Sequence, residues 1–246
     1  LQDSYYSHGY LIPFVSAYLI YLRRKDLQET EFSSSLSGLV VIAAALGIHL
    51  FGVLGNINFV SSFSMVFYLF GCSLYLLGVQ ATKILAFPLF FLFFMCPVPD
   101  GVINIVAIPS KAIATSLALR VVDLFGIPYI REGFVVHLPQ ATLVIGTPCN
   151  GMRSLISFAA LGFLVLYLFR TSLWKAVLFL CLIPPLSFIL NSTRIFILLW
   201  IAHTYGGEAA SPESYLHDGS GLLVFVIGFV VLMFLVRIFQ NEQAKH

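Results

Sequence analysis

The chain's 246 residues are 59% hydrophobic and only 10% charged, with a mean hydropathy of +0.97, which leaves too little polar surface to cover a water-soluble globule. A net charge of +2, with Lys and Arg scattered singly or in one short cluster, offers no footprint for nucleic acid. Cys72, Cys96, Cys149 and Cys181 have neither CxxC nor Cys/His spacing, so the sequence calls for no metal, no cofactor and no disulfide scaffold.

In chain order, a short apolar stretch at 9–22 is followed by longer ones at 36–54, 57–79 and 84–99, each close to the roughly 20 residues needed to cross a bilayer. Residues 103–125 keep helical apolar spacing but are interrupted by Lys111, Arg120 and Asp123, which predicts an amphipathic helix lying along an interface. Beyond Gly126, Phe134–Leu138 and Thr142–Ile145 flank a Pro139-Gln140-Ala141 turn and predict a β-hairpin. Further spans follow at 151–169, 174–203 and 219–236. The expected fold is an all-α polytopic membrane protein of about seven or eight spans, a single domain over 1–246 with an insertion at about 100–150.

Arg23, Arg24, Lys25, Lys83, Arg170, Lys175, Arg237 and Lys245 fall at alternate ends of these segments, and cytoplasmic loops retain Lys and Arg. That assigns 100–150, Arg194, the loop 204–218 and His8 to the outer face of the plasma membrane. A helix preceding Leu1 would bring both ends to the cytoplasm.

The hairpin leads into Thr147-Pro148-Cys149-Asn150-Gly151-Met152-Arg153-Ser154 and then an apolar helix. A cysteine at such a strand–turn–helix junction gains close backbone approach through Gly151 and helix-end amides that favour thiolate and oxyanion. Arg153, four residues on, is expected one turn above the thiol as a cation for it or for a substrate carboxylate. Asn191-Ser192-Thr193-Arg194 interrupts an apolar stretch after Pro184-Pro185, and an arginine at membrane depth must face protein or water. His217, next to Asp218, opens the last span and is the side chain suited to move a proton near neutral pH. Taken singly, each has a bland reading as an inert thiol, a snorkelling arginine or a structural histidine; what points to chemistry is their convergence on one face.

With Tyr6-Ser7-His8-Gly9-Tyr10-Leu11-Ile12-Pro13 at the amino end, Pro148-Cys149-Asn150-Gly151-Met152-Arg153-Ser154-Leu155, Asn191-Ser192-Thr193-Arg194 and His217-Asp218-Gly219-Ser220-Gly221 resemble the exosortase/archaeosortase family, bacterial members in particular. Asn150 departs from the small residue, often Ser, expected after the cysteine. The resemblance implies a protein-sorting cysteine transpeptidase with Cys149 as nucleophile, Arg194 as oxyanion or substrate cation and His217 as acid–base. Arg153, Asn150, Gly151, Asn191, His8 and Asp218 would be supporting or substrate-contacting residues. The implied partner is the C-terminal signal of secreted proteins, made of a short motif, one membrane helix and a basic cluster. The cleaved protein would pass through a thioester to an amine, lipid or polymer acceptor. Competing classes are a proton-coupled anion transporter, in which Arg194, Arg153 and His217 would serve transport, and a scaffold for exopolysaccharide export.

Overall fold

The computed structural model describes residues 9–146, 149, 151–169 and 172–241; His8 and Asn150 therefore lie outside the described residues. The chain divides into two compact units, Leu1–Asp100 and Gly101–His246.

The first unit contains α1 (Ile12–Leu22), α2 (Arg24–Gln28), α3 (Leu36–Leu54), α4 (Asn58–Leu76) and α5 (Gly78–Phe91), the last continued by a 3-10 turn to Met95. In an apolar solvent polar side chains are satisfied between helices. His49 Nδ1 of α3 lies 3.0 Å from Ser61 Oγ and 3.1 Å from Ser64 Oγ of α4. Ser16 of α1 donates to the Pro88 carbonyl of α5 at 2.7 Å.

The second unit holds α6 (Asp100–Leu124), strands β1 (Ile130–Glu132), β2 (Val135–Leu138) and β3 (Ala141–Val144), then α7 (Met152–Phe169), α8 (Leu173–Tyr205), a 3-10 turn Gly207–Ala210 and α9 (Tyr215–Asn241). Helices α7, α8 and α9 share an apolar core of Phe158, Val165, Phe179, Ile183, Leu190, Val224, Leu232 and Val236, with Phe158 stacked on Phe225 at 5.2 Å. The expected hairpin is present, joined by a third strand that the sequence did not suggest: the antiparallel order is β1-β2-β3.

Among the described residues seven helices are long and apolar enough to cross a membrane, and they include α6 but not the 11-residue α1. The protein is thus an all-α polytopic membrane protein carrying a small sheet. Length and composition alone would make α6 a span, yet its packing sets its second half apart. Ala114, Ala118, Leu119 and Val122 lie under Val136, Leu138, Leu143 and Ile145 of the sheet. Arg131 of β1 donates to Ser116 Oγ at 2.8 Å, and Lys111 sits 3.8 Å from the Phe134 ring centroid. An open sheet with a charged rim is incompatible with hydrocarbon, so this half of α6 belongs at the level of the sheet, as its Lys111, Arg120 and Asp123 interruptions suggest.

Candidate active site

Cys149 lies between β3 and α7, where the chain turns from sheet to helix. Ile145 N–H closes the sheet by donating to Phe134 O at 2.8 Å, and Cys149 N–H donates back to Gly146 O at 3.2 Å. Gly151 then takes φ +75°, a left-handed conformation that costs an L side chain about 1–2 kcal/mol. Its carbonyl receives Leu155 N–H at 3.0 Å and Ser154 Oγ–H at 3.0 Å, which starts α7. A second constraint acts on the same glycine: a Cβ there would stand 3.1 Å from Asn191 Cγ.

Asn191 is buried on α8 and donates through Nδ2 to the Cys149 carbonyl at 2.8 Å. One turn further along the same helix is Arg194, whose guanidinium lies flat against Gly221 of α9; a Cβ on Gly221 would be 3.1 Å from Nη2 and 3.2 Å from Cζ. Gly221 is itself one turn beyond His217, so the cation and the imidazole border one stripe of α9.

His217 is 6% exposed in the first turn of α9. Its Nδ1 lies 3.2 Å from Ala210 O in the 3-10 turn. A carbonyl only accepts, so in the neutral ring Nδ1 carries the proton and Nε2 presents a lone pair. Nε2 is buried and makes no hydrogen bond among the described residues. A cavity of about 310 Å³ is lined by Cys149 and His217 together with β3 and the stretch to Gly146, Ile195 and Leu198 of α8, and Pro212.

The thiol is 3% exposed. Burial pushes its pKa above the usual thiol value, and the positive charges of Arg194 and then Lys111 oppose that rise. At rest the group is a protonated thiol, so nucleophilic attack needs a base to take the proton, and His217 offers one on the same cavity.

The structure sorts the supporting residues expected from sequence. Gly151 and Asn191 adjoin Cys149. Arg153 does not: it is exposed in the first turn of α7. The four-residue spacing from Cys149 is not a helical turn, because the helix begins at Met152 and Gly151 reverses the backbone. Asp218 is also exposed, pointing apart from its neighbour as consecutive helical side chains do; the group on His217 Nδ1 is the Ala210 carbonyl. Lys111, read in the sequence only as an interruption of an apolar face, reaches the thiol electrostatically, and a lone cation on such a face was the signal for it. The four cysteines are free; Cys181 is exposed and Cys96 buried, its thiol pushed up to about 11 by burial.

No curated protein and no solved structure matches the chain. The family model for transmembrane exosortases matches residues 1–234, spanning Cys149, Arg194 and His217 and nearly all of both units. The chain therefore belongs to the transmembrane exosortase family.

Proposed function

We propose that the protein is a membrane cysteine peptidase–transpeptidase that cleaves the C-terminal sorting signal of secreted proteins at the outer face of the plasma membrane and hands the cleaved protein to an acceptor amine or a lipid or polymer nucleophile. The observation that carries this reading is the cavity shared by the Cys149 thiol and a His217 whose Nδ1 is anchored and whose Nε2 makes no hydrogen bond among the described residues.

The chemistry runs in two halves. His217 Nε2 takes the thiol proton as Cys149 Sγ attacks the scissile carbonyl, and Arg194 stabilises the oxyanion that forms. The tetrahedral intermediate collapses with cleavage of the C–N bond. His217 returns its proton to the departing amine, which leaves with the membrane helix and basic cluster, and a thioester remains on Cys149. In the second half His217 deprotonates an incoming nucleophile, which attacks the thioester; the new bond forms and Cys149 leaves as thiolate, recovering the proton from His217. Asn191 and Gly151 hold the Cys149 backbone for both halves, and water in place of the acceptor gives hydrolysis.

The test is a co-expressed secreted reporter ending in a tripartite signal, compared in wild type, Cys149→Ala and His217→Ala. Cleavage is expected in wild type with a thioester adduct at Cys149 by mass spectrometry, and none in Cys149→Ala. His217→Ala should slow turnover by roughly 10²-fold or more while Cys149 still reacts with a small alkylating agent. Cleavage that survives Cys149→Ala would refute the reading and favour a transport or scaffold role.

A further inference from the structure

The β-sheet has two edge strands, β1 and β3, and the β3 edge lines the cavity. Register pairs Leu138 with Ala141, Val136 with Leu143 and Val135 with Val144. The bond from Ile145 N to Phe134 O fixes the alternation: Ala141, Leu143 and Ile145 spend their main-chain groups on β2 and the turn before it. Thr142, Val144 and Gly146 consequently aim theirs away from β2. Gly146 O is taken by Cys149 N. Thr142 O is approached by Gly207, where a Cβ would stand 3.7 Å away. Between them, the N–H and C=O of Val144 make no hydrogen bond among the described residues, and Thr142 to Gly146 form one wall of the cavity that ends at Cys149 and His217.

A bare strand edge is a template for another extended chain, and proteins ordinarily cover or charge such edges. Here the edge carries no charged residue from Ala141 to Gly146 and leads to the nucleophile. Resting on the peptidase reading above, we infer that the substrate binds by strand addition: its extended main chain pairs with the free edge of β3 through Val144, delivering its carbonyl to Cys149. The half that pairs is the acyl half, because it alone stays on the enzyme through both steps. With its carboxyl end at Cys149 it runs parallel to β3. Main-chain pairing gives affinity without reading side chains, so the specificity of the motif falls to the two ends of the cavity, near Pro212 and at the thiol.

The probe is acetyl-tetraalanyl chloromethyl ketone, which alkylates a cysteine at its carboxyl end, and a set of analogues with one alanine at a time replaced by lactic acid, so that one N–H becomes an ester oxygen. Rates of Cys149 labelling in the full chain in detergent, read by mass spectrometry, are divided by the rate with chloroacetamide to remove the reactivity of the thiol. Strand addition expects one analogue, the one whose lost N–H would meet Val144 O, to be slowed roughly five- to tenfold, the effect of one lost hydrogen bond, with the others near the parent. In Val144→Pro, which deletes the free N–H without touching the ladder to β2, a substrate carbonyl loses its donor and the normalised parent rate should fall by a similar factor. A flat scan in wild type with normal chloroacetamide labelling overturns strand addition and leaves the nucleophile standing. Failure of both reagents to label Cys149 overturns both.

Discussion

Cys149 is governed by two opposing effects, burial that keeps the proton on and two cations that loosen it. Removing a cation must raise the thiol pKa further. Arg194→Gln is expected to move the pH profile of chloroacetamide labelling toward alkaline pH, with slower labelling at neutral pH, and Lys111→Met to shift it less in the same direction. A profile unmoved by Arg194→Gln would remove the guanidinium from the thiol's environment. Gly221→Ala tests the same contact from α9: its methyl would stand 3.1 Å from Nη2 and press the guanidinium aside by a few tenths of an ångström, so it should reproduce a small part of the Arg194→Gln shift although it changes no charge. Asn191→Ala withdraws the donor from a buried carbonyl, at a cost of about 1–3 kcal/mol, and should slow thioester formation by roughly tenfold or more. At this scale residue chemistry and position at segment ends singled out Cys149, Arg194 and His217, and the structure places Cys149 and His217 on one cavity. The Ala210 carbonyl was not, because every residue carries a carbonyl and only the fold decides which one meets an imidazole.

Among the elements, the turn into α7 and the three-helix core of the second unit make separable demands. Gly151→Ala meets both an unfavourable φ and the Asn191 side chain, and should lower the thermal midpoint in detergent while abolishing cleavage. Phe158→Ala leaves a void in the α7–α8–α9 core, less than two turns into α7 and off the cavity that holds Cys149, at about 3–5 kcal/mol. It should lower the thermal midpoint comparably but leave the labelling pH profile of Cys149 in place. The spans of α3, α7, α8 and α9 could be read from long apolar runs, α8 despite the Asn191–Arg194 interruption. Strand β1 could not: Ile130-Arg131-Glu132 is three residues long and two of them are charged, so its place depends on pairing with Val135–His137 and on the Arg131 bond to Ser116, both non-local. Helix α6 shows the converse case. Hydropathy allows it to span, whereas a sheet packed on its flank shows where its second half belongs.

Across the molecule, eight of the 13 basic residues were assigned to the cytoplasmic side. The other five are Lys111, Arg120, Arg131, Arg153 and Arg194, all in the second unit. Three of them have local contacts, on the Phe134 ring, on Ser116 and against Gly221, which on the proposed orientation would hold them opposite the side that Lys and Arg prefer. A green fluorescent protein fused after His246 is therefore expected to fluoresce, and alkaline phosphatase fused at the same place to be inactive; the reverse pair of results would invert the proposed orientation.

The burial of Cys149 also bears on how long the enzyme lasts. Peroxides and disulfides attack thiolates far faster than thiols. A nucleophile ionised at rest would be steadily lost to sulfenic and higher acids in an oxidising compartment. On the proposed mechanism Cys149 stays protonated until His217 takes its proton against a docked carbonyl, and would be exposed to that chemistry only during turnover. Reluctance to ionise then acts as redox durability, and variants that lower the thiol pKa should gain labelling rate while surviving hydrogen peroxide for a shorter time.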